Sequence, residues 1–112
     1  MEHKHYSEVK LEKPTEKGVK DVKLRWLISK KDKAENFAMR LFEIKANGYT
    51  PFHHHDWEHE VYILEGKGKI KNKDNKKDIN KGDFLFIPPN EWHQFINDSD
   101  EKLKFLCLVP IK

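Results

Sequence analysis

The chain has 112 residues, 37% hydrophobic and 37% charged, with 22 basic against 19 acidic residues for a net charge of +3. That length predicts one compact domain, and balanced charge with only two arginines, Arg25 and Arg40, argues against a nucleic-acid reader, which clusters its arginines. A single cysteine, Cys107, excludes an internal disulfide, no apolar run approaches the ~20 residues that span a bilayer, and the start Met1-Glu2-His3-Lys4-His5 lacks the apolar core of a secretion signal, so a cytoplasmic protein with no membrane partner is expected.

Residues 1–20 form an expected N-terminal arm or edge strand, with a strand at Tyr6–Leu11, a turn at Pro14–Gly18, and His3 and His5 on a fraying terminus. Residues 21–112 carry the barrel. Val22–Ile28 is the first firm strand, Lys30–Glu35 a charged turn, and Asn36–Ile44 a strand covered on both faces. Arg40 inside that strand is half of an ion pair or a pocket residue, and the ion pair is the favoured reading. Ala46-Asn47-Gly48 reads as a turn. Glu60–Glu65 is a strand closed by Gly66-Lys67-Gly68, and a polar hairpin runs from Lys69 to Ile79 around Asp74-Asn75. Phe84–Ile87 precedes the breaker Pro88-Pro89-Asn90, then come strands at Trp92–Asn97 and Lys102–Val109. On the last, Leu103, Phe105, Cys107 and Val109 share the inward face. No helix is predicted. Eight to ten short strands imply an all-β sandwich or barrel.

Four of the seven histidines lie in Phe52-His53-His54-His55-Asp56-Trp57-Glu58-His59-Glu60. On extended backbone, residues i and i+2 share a face with Cα atoms roughly 6.6 Å apart. His53, His55 and His59 have that parity and can converge on one ion, while His54 points away. His93, beyond the proline corner on a separate strand, is the candidate fourth ligand. Glu58, Glu60 and Asp56 are candidates to hold an imidazole tautomer from behind.

The run Gly48…His53-x-His55-x3-His59-Glu60-x5-Gly66, followed by Gly82-x5-Pro88-x-Asn90-x2-His93-x3-Asn97, resembles the two motifs of the cupin superfamily. More closely it resembles small manganese-type single-domain cupins with an all-histidine metal site. The similar region runs from about Val22 to Pro110. The departures are a Gly48–His53 interval one residue short, Asn90 in place of glycine, and a third position where most cupins use a glutamate and where His59 and Glu60 here compete, His59 being favoured by the all-histidine subgroup and by its parity with His53 and His55. Counting strictly from Gly48 selects His54 and Asp56, which breaks the match to Trp57-Glu58-His59. The resemblance implies a double-stranded β-helix (jelly-roll barrel) and a homodimer. It also implies one divalent transition metal, manganese first and iron second, on His53, His55, His59 and His93.

Imidazole ligands by themselves also suit Ni, Cu or Zn. Four neutral imidazoles leave the ion its full +2 charge, which attracts an anionic or chelating small molecule. The open positions suit a dioxygenase-type oxidation. Alternatives are a Lewis-acid isomerase or decarboxylase and a non-catalytic protein that senses or stores a metal-chelated ligand. Phe105, Cys107, Trp57, Ile63 and Arg40 are the candidate pocket residues; Cys107 reads as a small buried hydrophobe rather than a fifth ligand.

Overall fold

A computed structural model describes all residues, 1–112. Eight strands follow in order: β1 (Lys20–Ile28), β2 (Phe37–Tyr49), β3 (His59–Glu65), β4 (Lys67–Lys71), β5 (Lys76–Asn80), β6 (Phe84–Ile87), β7 (Gln94–Ile96) and β8 (Leu103–Pro110). All pairings are antiparallel, in the order β5-β4-β7-β2-β8-β3-β6, with β1 on the other side of β2. The sheet curls on itself, so its inward side chains form one core. The all-β expectation is met, and no helix is long and apolar enough to cross a membrane.

Alternation along each strand sets what faces inward. On β8, Leu103, Phe105, Cys107 and Val109 are buried and their neighbours only partly so. Rows then cross the sheet by register. Leu24 pairs with Phe42, Phe42 with Phe105, and Phe105 with Ile63; one step along, Trp26 pairs with Arg40, Arg40 with Cys107, and Cys107 with Val61. Phe105 stacks between Phe42, at 5.1 Å, and Phe95, at 4.3 Å between centroids. This aromatic layer is the floor on which the functional cavity stands.

Two local expectations need correction. Tyr6–Leu11 is not a strand: Tyr6–Glu8 is a 3-10 turn capped by His5, and only Glu12 bridges to β1, at Leu24. His5 accepts from its own chain two residues on, which local polar side chains do in preference to extended pairing. A second 3-10 turn, Lys30–Asp32, lies within the expected charged turn. Ala46-Asn47-Gly48 does not end its strand; β2 bends there and runs on to Tyr49. Asn47 takes a left-handed φ of 68°, and a Cβ on Gly48 would sit 2.6 Å from the Lys20 carbonyl oxygen. The bend is held by fully buried Asn97, whose amide donates to the Ile44 and Glu101 carbonyls and whose carbonyl accepts from Ser99. Gly66 has φ 83°, and a Cβ there would lie 2.3 Å from the Lys102 carbonyl.

Candidate metal centre

The two histidine-bearing segments are joined by backbone. His53 and His93 form an antiparallel bridge, with N–H to O distances of 3.2 and 2.9 Å, and the Asn90 N–H donates to the His55 carbonyl at 2.6 Å. Asn90 adopts φ 67°, so an asparagine serves this corner where glycine is usual. One ring nitrogen each of His53, His55 and His93 lies within 4.8 Å of the others. His59, at the start of β3 on the inward parity, stands beside this trio without joining it within that distance; its ring centroid is 4.9 Å from His93 and 5.3 Å from His55.

These residues fit a divalent ion. His59 Nδ1 is buried with no hydrogen-bond partner, and an orphaned buried nitrogen costs free energy unless something satisfies it. Burial pushes His59 down to about 3 and His55 to about 4, and lowers His93 as well; neighbouring charges add to the first two. All three are therefore neutral at pH 7 and offer lone pairs without first losing a proton. Two tautomers are held by the chain. Glu16 Oε2 lies 2.7 Å from His53 Nδ1, and the Glu91 carbonyl accepts from His93 Nδ1 at 2.9 Å. These acceptors are not the expected ones. Glu60 points outward and is exposed, Glu58 is exposed, and Asp56 pairs with Lys112 at 2.9 Å. His54 is exposed and packs its ring on Trp92.

The histidines line a cavity of about 240 Å³. Its apolar walls come from Val22, Leu24, Trp26, Phe42, Phe95 and Phe105, with Cys107 beside them. Residues 12–16 of the N-terminal arm form part of its rim. The cavity's reliance on the arm was missed by sequence reasoning, because nothing local links Glu16 to a histidine 37 positions away. A second cavity shares Glu12, Trp26, Arg40, His55 and His59 with the first and opens past Trp57 towards Lys30, Lys31 and Lys112. Trp57 stacks flat on His55, 4.3 Å away.

Among the other expected pocket residues, Phe105 and Cys107 line the main cavity, whereas Ile63 is fully buried beside Phe105 and lines neither. Arg40 makes no ion pair, against the favoured sequence reading. It is a pocket residue, lining both cavities and donating to Cys107 Sγ at 3.1 Å. Burial raises the Cys107 thiol, so it stays protonated and accepts that bond.

Comparison with known proteins agrees with this architecture. The polyketide cyclase RemF from Streptomyces resistomycificus superposes with a TM-score of 0.95 at 36% identity, over 100% of this chain and 80% of that one. A 1-methylthio-D-xylulose 5-phosphate methylsulfurylase from Rhodospirillum rubrum is 35% identical over 63% of this chain and 46% of its own length. Acireductone dioxygenase 4 from Oryza sativa is 34% identical over 69% of this chain and 42% of its own. The chain spans about half the length of the first two curated relatives it matches. Residues 40–109, well over half of the sequence, match the cupin domain, and the curled antiparallel sheet and its histidine cluster accord with that match: the chain belongs to the cupin family.

Proposed function

We propose that the protein is a small metal-dependent oxidoreductase of dioxygenase type, acting on a compact, oxygen-rich organic molecule. The observation that carries this reading is four imidazoles, three held neutral by burial, at the wall of a cavity whose other lining includes Phe42, Phe95 and Phe105. His53, His55, His59 and His93 would hold the ion, manganese first and iron second. When bound, such an ion supplies a Lewis acid with open positions and a redox couple. The chain's own contribution is orientation and exclusion of water. Phe42, Phe95 and Phe105 present apolar surface to the substrate; Glu16 and the Glu91 carbonyl keep His53 and His93 in one ring orientation. A volume of about 240 Å³ is at the small end of ligand sites, which favours a compact substrate. The Oryza relative's name, a dioxygenase, supports the reaction class.

A second reading is a redox-neutral reaction at the same site, such as a cyclisation or decarboxylation. The likeness to a polyketide cyclase across the whole chain favours it. Metal analysis of untagged protein, then oxygen uptake across a panel of enols, diketones and aromatic alkenes, separates the readings. Stoichiometric oxygen consumption with product formation supports the dioxygenase. Turnover without oxygen uptake moves the assignment to the redox-neutral reaction. A ligand bound unchanged makes the protein a binding cupin, and protein that cannot be loaded with metal refutes both enzymes.

A homodimer is part of the proposal. The outward row Leu106-Tyr62-Phe84 and the neighbouring Phe86 and Leu108 leave an apolar sheet face with Phe84 80% and Phe86 56% exposed. A self-complementary contact between two copies would cover it. Sedimentation at dimer mass, lost in Phe84→Glu, is the expected result.

A further inference from the structure

Arg40 is an inward-facing cation that the fold leaves without an anion. Its strand position puts it between Trp26 on β1 and Cys107 on β8, facing inward. The guanidinium lies 5.4 Å from the Trp26 ring and 5.0 Å from the Phe42 ring, contacts that attract it without using its N–H groups. Of its five donors, the one hydrogen bond made is to the weak acceptor Cys107 Sγ. Its Nε is buried with no partner at all. No carboxylate answers it: Glu16 is held by His53, and Glu12, the other acid lining the cavities, makes no ion pair. Arg40 lines both cavities together with His55 and His59, so one small molecule can reach the guanidinium and the histidines at once.

Arg40 as a whole is half-buried, but its Nε is shut off from water, and a donor so placed is costly to leave unpaired unless a ligand supplies an acceptor. We infer that Arg40 anchors a carboxylate of the substrate, which docks in the plane of the guanidinium fork while the rest of the molecule reaches the histidine cluster. The two aromatic rings take up none of the guanidinium's N–H groups, and a carboxylate, planar like the fork, can accept two of them at once. The second cavity provides the approach. It shares Arg40 with the metal pocket, and Lys30 and Lys31 on its walls outnumber its single acid, Glu12, while Lys112 is paired with Asp56. An anion entering there finds a wall with more basic than acidic side chains. The substrate class is thereby narrowed to small carboxylic acids bearing a further oxygen for the metal. This inference deepens the proposed function and rests on it for the role of the ion.

The test uses malonate as probe, with malonamide as its uncharged counterpart. The chain has two arginines, so an ¹⁵N-resolved arginine Nε–H spectrum has two signals, assigned with Arg25→Lys. In metal-free protein, malonate should shift the Arg40 signal and leave that of Arg25 unmoved. Malonamide should shift neither, and inorganic phosphate should act more weakly than malonate. In the zinc-loaded protein, chosen because zinc is diamagnetic, malonate should bind tighter. Arg40→Gln should weaken malonate binding by about tenfold or more, with Arg40→Lys recovering part of the loss. No Arg40 shift in either form, or equal shifts from malonamide, overturns the anchor. A larger response to phosphate overturns the carboxylate assignment. A shift in metal-free protein that zinc leaves unchanged in affinity keeps the anchor and refutes the metal-site reading.

Discussion

Glu16→Gln isolates the contribution of the N-terminal arm to the metal centre. The carboxylate lies 2.7 Å from His53 Nδ1, with side chains 53% and 23% exposed respectively. Carboxylate partners of ligating histidines are typically worth tenfold to a hundredfold in metal affinity, or about 1.4 to 2.7 kcal/mol. Half of the Glu16 side chain is in water, which screens the interaction and places the effect at the lower end, about tenfold. Glutamine keeps the shape and a hydrogen-bonding oxygen but removes the charge that strengthens the imidazole as a donor. Chelator competition with cobalt(II), read by absorbance, measures the constant directly. Glu58→Gln is the control, since that carboxylate is exposed and forms no hydrogen bond or ion pair to any histidine. Equal affinities for Glu16→Gln and wild type would refute the argument, as would an equal loss in the Glu58 control.

His93→Ala should strip metal from the purified protein, whereas His54→Ala, altering an exposed ring against Trp92, should leave metal content unchanged by elemental analysis; the reverse outcome would shift the ligand register by one residue. The metal-free protein should lose stability on acidification. His55 and His59 sit near 4 and 3 in the folded state, below their ordinary value near 6.5, so the unfolded chain takes up protons first as pH falls. Their stabilising contribution is complete above about 6.5 and declines as pH drops towards 4 and 3; urea midpoints should fall across that window, and the slope should flatten in a His55→Gln/His59→Gln variant. Phe105→Ala removes a ring that is 1% exposed and stacked on two others, and should cost about 3 to 5 kcal/mol in denaturant unfolding. A loss below about 1 kcal/mol would mean that the aromatic layer does not support the cavity.

Much of the molecule was legible without coordinates, for a local reason. Strand period and proline or glycine breaks are properties of neighbouring residues, so Val22–Ile28, Glu60–Glu65 and the inward row of Leu103, Phe105, Cys107 and Val109 could be read from the chain. The same parity sorted His53, His55 and His59 from His54. What local reading mistook is where long-range contact overrides a nearby signal. Ala46-Asn47-Gly48 carries turn chemistry, yet pairing on both sides and the Asn97 clasp keep it within β2. Arg40 looked like half of an ion pair because a charged residue within a strand usually needs a counter-charge, but the register set two aromatic rings and a thiol around it instead. Glu60 remained a rival to His59 until strand direction turned it outward. The sequence by itself determined an all-β chain carrying a histidine cluster with metal-ligand spacing. Only the tertiary structure decided that Glu16 returns to His53, that His93 bridges to it through backbone, and that an unpaired guanidinium stands beside the site, because each of these depends on segments brought together by the curl of the sheet.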